Sequence, residues 1–386
     1  MVILGDMKIV ADENIPYVKE VFSGLGEVRC LSGRAMHRAA LADADALLVR
    51  SVTAVDAQLL EGTNVRFVGT ATIGTDHIDE DYLQSRAIAF TSAAGSNANS
   101  VAEYVITALL VLAQQNDWDL PNKTLGVVGV GNIGSRVENM AQALGLNVLP
   151  NDPPLQRQTG DARFVDLATV LEADFITLHV PLTRSGPDPT YYLLDEAKLE
   201  PLSPQTVLIN TSRGAVVDNL ALDAQLTNKG LGPTVLDVWE DEPDIHVDLL
   251  ERVAIATPHI AGYSLDGKAN GTAMLYECLC RFLDIAPQVE IKKLLPPPVV
   301  PKLALDAEQT DQMNLTQAMT AIYDILRDDR DLRQITNQPP DQRGKFFDRL
   351  RKNYPIRREA HNTQVIFRRS NPVLTQKLSR LGFSCK

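Results

Sequence analysis

The chain has 386 residues, 45% hydrophobic and 22% charged, with 49 acidic against 37 basic side chains and a formal net charge of −12. This is the profile of a globular protein with more than one core, and it argues against disorder and against a broad nucleic-acid surface. The most apolar run, "VITALLVLA" at 105–113, is too short to span a membrane. At the start, "MVILGD" reads as a short extension ahead of the strand "MKIVAD", which leaves Met1 and Met7 both open as the natural first residue. From Met7 to about Gly95 the apolar runs "KIVAD", "EVRCL", "DALLVRS", "VRFVGTAT" and "AIAFTS" alternate with helical stretches, which predicts a parallel α/β layer. Ser100 followed three residues on by Glu103 predicts a capping box ahead of a helix buried on nearly all sides.

A second α/β block runs from about Lys123 to His259, with strands expected at "LGVVGV", "LNVLPND", "FITLHV", "TVLIN", "TVLDVW" and "VAIATPH". A helix from about Ser264 to Leu283 closes it, and "LLPPPVVP" marks a linker. The remaining ninety or so residues mix helical pattern with one clear strand, "TQVIFRR".

In "LGVVGVGNIGSR", Gly129, Gly131 and Gly134 follow a strand and open a helix whose apolar face is Val137, Met140, Ala141 and Leu144. Gly129 suits a tight turn, Gly131 a close backbone approach to a pyrophosphate, and Gly134 close packing of helix on sheet. The next strand ends in Asp152, whose carboxylate can accept hydrogen bonds from an adenosine ribose and would repel the extra phosphate of NADP. The expected cofactor is therefore NAD.

Polar groups end the later strands: "NTSRG", Asp237 in "VLDVW", and His259 in "TPHIAGY". In an open parallel sheet these ends converge on the ligand crevice. Arg213 reads equally as a surface ion-pair partner and as a clamp for a carboxylate. In "EDEPD", Glu240, Asp241 and Asp244 read as solvated. Glu242, before Pro243, is the candidate to orient a histidine. His259 is open between a buried structural ring and a proton carrier. His37 and His361 read as surface residues, His246 as solvated, His179 as a core histidine near the cofactor, and His77 as structural. The cysteines Cys30, Cys278, Cys280 and Cys385 follow no metal spacing; no metal is expected, and reduced thiols in the cytoplasm are.

Taken together, "VGVGNIG", "NTSRGAVVD", "LDVWEDEP" and "TPHIAGY" resemble the D-isomer-specific 2-hydroxyacid dehydrogenases over roughly residues 7 to 285. The resemblance implies two Rossmann-like or flavodoxin-like doubly wound parallel-sheet lobes, with a small C-terminal α+β domain beyond them. A substrate lobe is expected over 7–100, completed by the helix at 264–286. The NAD-binding domain is expected over 101–263 and a dimerisation domain over 289–386. The resemblance also implies a catalytic set of Arg213, Glu242 and His259.

A narrower likeness, to a branch of that family acting on a phosphorylated hydroxyacid, rests on "ADENIPY", "LLVRSVT", "FVGTATIGTDHID", "TPHIAGYSLDGKANGT" and "RKNYPIRRE". It implies substrate contacts from Ser51, Thr72 and Tyr263. It implies NAD contacts from Asn132, Ile133, Asp152, Val180, Thr211, Ser212, Arg213, Asp237 and Gly262, and a homodimer. A substrate phosphate needs donors other than Arg213; Arg50 is one candidate, and the cluster Arg351, Lys352, Arg357 and Arg358 is another, with solvated surface charge as its alternative. Two other readings stay open: a relative acting on 3-phosphoglycerate or an unphosphorylated hydroxyacid, and a nicotinamide-sensing corepressor or scaffold on the same fold.

Overall fold

The computed structural model describes residues 7–385 apart from Lys229, Ala307, Arg368 and Ser370; "MVILGD" lies outside the described residues. The chain divides into two compact units, one of residues up to Asn97 together with Leu265–Pro296, the other of Ala98–Ser264 together with Pro297 onward.

The first unit is built on five parallel strands: β1 (Met7–Asp12), β2 (Gly26–Leu31), β3 (Ala46–Val49), β4 (Phe67–Thr70) and β5 (Ala89–Ser92). Their order is β2-β1-β3-β4-β5, a doubly wound sheet whose direction of winding reverses between β1 and β3. Period-two alternation sends Ile9 and Leu48 to one face and Val10, Leu47 and Val49 to the other. Leu275, Tyr276 and Leu279 of the helix Leu265–Phe282 cover the first face, with Tyr276 meeting Phe22 edge-on at 5.5 Å. Leu41, Leu59, Leu60 and Leu83 cover the second.

The second unit holds six parallel strands: β6 (Thr124–Val128), β7 (Asn147–Asn151), β8 (Phe175–Leu178), β9 (Val207–Asn210), β10 (Thr234–Leu236) and β11 (Ile255–Ala256). Their order is β11-β10-β9-β8-β6-β7, and winding reverses between β6 and β8. Beyond β7 the chain runs alongside once more, where the Val165 N–H donates to the Pro150 carbonyl at 2.9 Å. Both faces of the sheet are buried, as near-continuous apolar strands require.

The helix Ala98–Gln115 is buried through nearly its whole length. It begins at Ala98, so Ser100 and Glu103 lie inside it and the expected capping box is not formed. Both are buried and serve tertiary contacts instead: the Ser100 hydroxyl donates to the Ala261 carbonyl at 2.7 Å, and Glu103 accepts from the Ala360 N–H at 2.8 Å.

The C-terminal stretch belongs to this second unit. Three short parallel strands, β12 (Lys302–Leu305), β13 (Gln364–Phe367) and β14 (Ser384–Cys385), lie in the order β12-β13-β14. Its helices Ile325–Arg333 and Arg343–Lys352 contribute Leu332, Phe346 and Phe347 to the core beside β8 to β11. Asp329 accepts the Ala256 N–H of edge strand β11 at 2.8 Å, which closes an edge otherwise open to another strand.

Candidate active site

The three glycines after β6 differ in what surrounds them. Gly129 has φ +87°, and a Cβ there would lie 2.7 Å from the His179 carbonyl oxygen. At Gly134 a Cβ would lie 2.0 Å from the carbonyl oxygen of Gly129, so the helix Gly134–Ala143 starts hard against the turn. At Gly131 a Cβ would meet nothing within 4 Å. The space over Gly131, at a helix N-terminus, fits the phosphates of a dinucleotide. Asn132 is exposed and Ile133 half-buried on the same turn.

Asp152 follows β7 and ties this turn to the next helix. One carboxylate oxygen accepts the Val130 N–H at 2.8 Å, and the other caps the helix Pro153–Thr159 through the Leu155 N–H at 2.9 Å. Its remaining lone pairs leave room for ribose hydroxyls. Val180 is half-buried after β8, and Thr211 and Ser212 are buried after β9. His179 lies between Thr177 and Thr211 hydroxyls at 3.0 and 3.3 Å, and burial pushes its pKa down to about 3. It is a neutral structural ring at pH 7.

The arginine turn is fixed by Asn210, whose side-chain oxygen accepts both the N–H and the hydroxyl of Ser212 while its amide donates to the Arg213 carbonyl. Gly214 then packs bare against the next loop: a Cβ there would fall 1.9 Å from the Trp239 carbonyl carbon. No side chain fits. Half-buried Arg213 is thereby carried beside the loop that bears Glu242.

The central feature is the pair Glu242–His259. His259 Nδ1 lies 2.7 Å from Glu242 Oε2, and Oε1 accepts the Trp239 N–H at 2.9 Å. Burial pushes the Glu242 pKa up, but the His259 charge and hydrogen bond, the Trp239 N–H and the Arg351 charge outweigh it, and the net shift is downward. An ionised carboxylate can only accept, so Nδ1 carries a proton, and in the neutral ring it is Nε2 that presents a lone pair. His259 itself holds a left-handed backbone, φ 56°, rare for a non-glycine residue and worth about 1–3 kcal/mol of strain. Its N–H donates to the Asp237 carbonyl at 2.7 Å.

Asp237 braces this loop from below. Its buried carboxylate accepts from the Thr257 hydroxyl at 2.6 Å and from the N–H groups of Ile260 and Ala261 at 2.7 and 3.0 Å. Burial raises its pKa despite these bonds. Gly262 and Tyr263 follow, both half-buried. The expected surface roles of two neighbours need correction. Half-buried Glu240 accepts from the Tyr192 hydroxyl and the Asn219 N–H, and half-buried His246 has its Nδ1 shielded without a partner among the described residues. Asp241 and Asp244 are exposed.

In the first unit Ser51 follows β3 and is exposed, while Thr72 follows β4, its hydroxyl donating to the Gly74 carbonyl at 2.9 Å. His77 Nε2 meets the Thr70 hydroxyl at 3.0 Å.

Of the basic cluster in the C-terminal stretch, Arg357 is buried and donates to the Ala261 carbonyl and the Ser100 hydroxyl, its guanidinium 4.0 Å above the Tyr323 ring. Glu359 accepts from the hydroxyl of Ser264 at 2.7 Å and the amide of Asn99 at 3.1 Å. These residues fasten the chain just past His259. Lys352 is exposed, and Arg358 bonds Asn362.

Residues 110–261 match the family described as D-isomer specific 2-hydroxyacid dehydrogenase, NAD binding domain, and residues 294–382 match one described as a domain of unknown function. The chain is 49% identical to an erythronate-4-phosphate dehydrogenase of Pseudomonas syringae pv. tomato, over 97% of this chain and 99% of the relative. It is 47% identical to that of Cronobacter sakazakii, over 98% of each. A similar solved structure is the D-lactate dehydrogenase of Aquifex aeolicus complexed with NAD and lactic acid. That structure is 25% identical, covers 72% of this chain and 95% of its own, and has a TM-score of 0.59.

Proposed function

Because the chain belongs to the erythronate-4-phosphate dehydrogenases, within the D-isomer-specific 2-hydroxyacid dehydrogenase family, we propose that it oxidises 4-phospho-D-erythronate at C2. The product is 2-oxo-3-hydroxy-4-phosphobutanoate, on a route to pyridoxal 5'-phosphate. The hydrogen bond from His259 Nδ1 to Glu242 is the observation that carries this reading.

Bound NAD supplies the hydride acceptor. The Nε2 lone pair of His259 takes the C2 hydroxyl proton as the hydride leaves, and Glu242 stabilises the imidazolium that results. Arg213 holds the substrate carboxylate by its planar fork. The Gly129-to-Gly134 turn receives the pyrophosphate, with Asn132 and Ile133 on it, and Asp152 receives the ribose. Val180, Thr211, Ser212 and Gly262 line the nucleotide from the other strand ends, and Asp237 keeps the 257–262 loop in place. Ser51, Thr72 and Tyr263 are substrate contacts in this reading.

A homodimer is also part of the proposal. Val299, Ile356 and Val373 of the C-terminal stretch are exposed, a surplus of apolar surface that a second copy would cover. Deleting the stretch would also strip buried core, so the sharper test is Ile356→Asp with Val373→Asp, read by light scattering; an unchanged dimer removes this interface. The four free cysteines fit a reducing cytoplasm. No helix among the described residues is long and apolar enough to cross a membrane.

The functional test is NADH formation from 4-phospho-D-erythronate, D-erythronate, 3-phosphoglycerate and D-lactate under one set of conditions. Preference for the first supports the proposal. Preference for 3-phosphoglycerate replaces the substrate, and turnover of none, with NAD bound, favours a sensing role.

A further inference from the structure

Arg351 stands apart from the rest of the C-terminal basic cluster. It lies in the last turn of the helix Arg343–Lys352. That helix is seated on the catalytic loop at its other end: Gly344 meets Pro243 and Asp244, where a Cβ would come within 3.2 Å of the Pro243 ring and 2.6 Å of an Asp244 oxygen. At its C-terminal end the Arg351 guanidinium lies 5.7 Å from the ring centroid of Tyr263 and 5.9 Å from that of Phe347. Its charge reaches the Glu242 carboxylate.

The helix is thus held at one end by the residues following Glu242 and delivers a cation beside Tyr263 at the other. The residue is half-buried, and its Nε is shielded from solvent without a hydrogen-bond partner among the described residues. An unpaired, buried N–H on a cation is a cost that an anionic ligand oxygen would remove. Arg357 also keeps Nε and Nη1 without partners among the described residues, but it is buried in the core with its Nη2 donating to Ala261 and Ser100, and Arg358 donates to Asn362.

We propose that Arg351 receives the terminal phosphate of the substrate and sets the preference for a phosphorylated hydroxyacid. This rests on the function proposed above. Arg213 is assigned to the carboxylate at one end of a four-carbon acid, and the phosphate at the other end needs a second fork of donors, which a guanidinium supplies in bidentate form. The site takes a phosphomonoester dianion from a residue of the C-terminal stretch, outside the stretch that matches the dehydrogenase family.

The test compares the full-length wild type with Arg351→Gln and Arg351→Lys at saturating NAD. The readout is the ratio of kcat/KM for 4-phospho-D-erythronate to that for D-erythronate, together with the Kd of inorganic phosphate for the NAD-loaded protein by calorimetry. A charged hydrogen bond lost in Arg351→Gln corresponds to a fall in the ratio of about 10- to 150-fold, expressed mainly in KM. Arg351→Lys should fall less, and phosphate should bind Arg351→Gln more weakly. Equal losses on both substrates, or none on either, with phosphate affinity unchanged, would overturn the assignment and leave Arg351 as support for Glu242. A wild type inert on both substrates would sink the proposed function, while the phosphate titration would still decide Arg351. Arg351→Lys keeps the cation, so the titration is readable even where Arg351→Gln is unstable.

Discussion

His259 Nδ1 and Glu242 Oε2 are 2.7 Å apart, and the glutamate's second oxygen is held by the Trp239 N–H. The carboxylate is therefore fixed on both sides before any substrate arrives. Burial is outweighed by the His259 charge and hydrogen bond, which shift the Glu242 pKa below its ordinary value and favour the charged carboxylate. Replacing it with Gln removes the charge that favours imidazolium. The pH–rate profile of Glu242→Gln should move toward acid and its maximum fall by about 10²–10⁴-fold. A profile unchanged in position and height would show that Glu242 has no hold on the proton transfer.

The glycines of the β6 turn separate stability from cofactor binding. Gly134→Ala drives a Cβ into the Gly129 carbonyl, a backbone atom that cannot rotate away, and should destabilise by about 1–3 kcal/mol or more. Gly131→Ala enters open space and should leave stability within about 0.5 kcal/mol while weakening NAD. Urea unfolding and an NAD titration of both variants check this; a Gly131→Ala protein that binds NAD normally would remove the pyrophosphate from that turn.

Asp152 does two things that can be told apart. Asp152→Asn loses the charge and keeps a single acceptor oxygen for the two backbone N–H groups of Val130 and Leu155, so it should relax discrimination against NADP while giving up one of those bonds, at about 0.5–1.5 kcal/mol. Asp152→Ala loses both bonds, the helix cap included, at about 1 kcal/mol more. Paired NAD and NADP titrations are the measurement. If the wild type already binds both equally, the ribose assignment fails.

His179 predicts an acid sensitivity. Its pKa is about 3 in the folded chain against 6.5 for the free side chain. Below pH 6.5 the unfolded chain takes up a proton that the folded one refuses, so stability falls as pH drops from 6.5 toward 3. Between pH 6.5 and 4.5 the loss is about 2.3 kcal/mol from this ring. His179→Gln should lose correspondingly less over that interval in denaturant titrations, and an identical loss would mean that the ring is solvated.

Much of this was legible in the sequence because strong periodicity and chemical constraint coincide there. The eleven strands of the two large sheets fall on apolar runs, and Gly129, Gly131 and Gly134 announce their turn because a strand precedes them and an apolar-faced helix follows. Other features were hidden for physical reasons. Ser100 and Glu103 have capping-box spacing, but tertiary partners claimed both side chains once the helix began at Ala98. Strand β12 follows directly on the proline-rich run that reads as a linker, and β14 is only Ser384 and Cys385, with no apolar run to mark it. Arg351 reads in the sequence only as one of a basic cluster, open between holding a substrate phosphate and solvated surface charge; its place beside Tyr263 comes from Gly344 seating the helix on Pro243, a contact no local pattern carries.

The most direct test follows single-turnover NADH formation when NAD-loaded protein meets 4-phospho-D-erythronate, in wild type and in His259→Asn. Loss of a general base typically costs about 10²–10⁴-fold. His259→Asn is expected to bind NAD with unchanged affinity and to form NADH slower by that factor at neutral pH. A variant that forms NADH at the wild-type rate would return His259 to a structural role and contradict the proposed proton transfer.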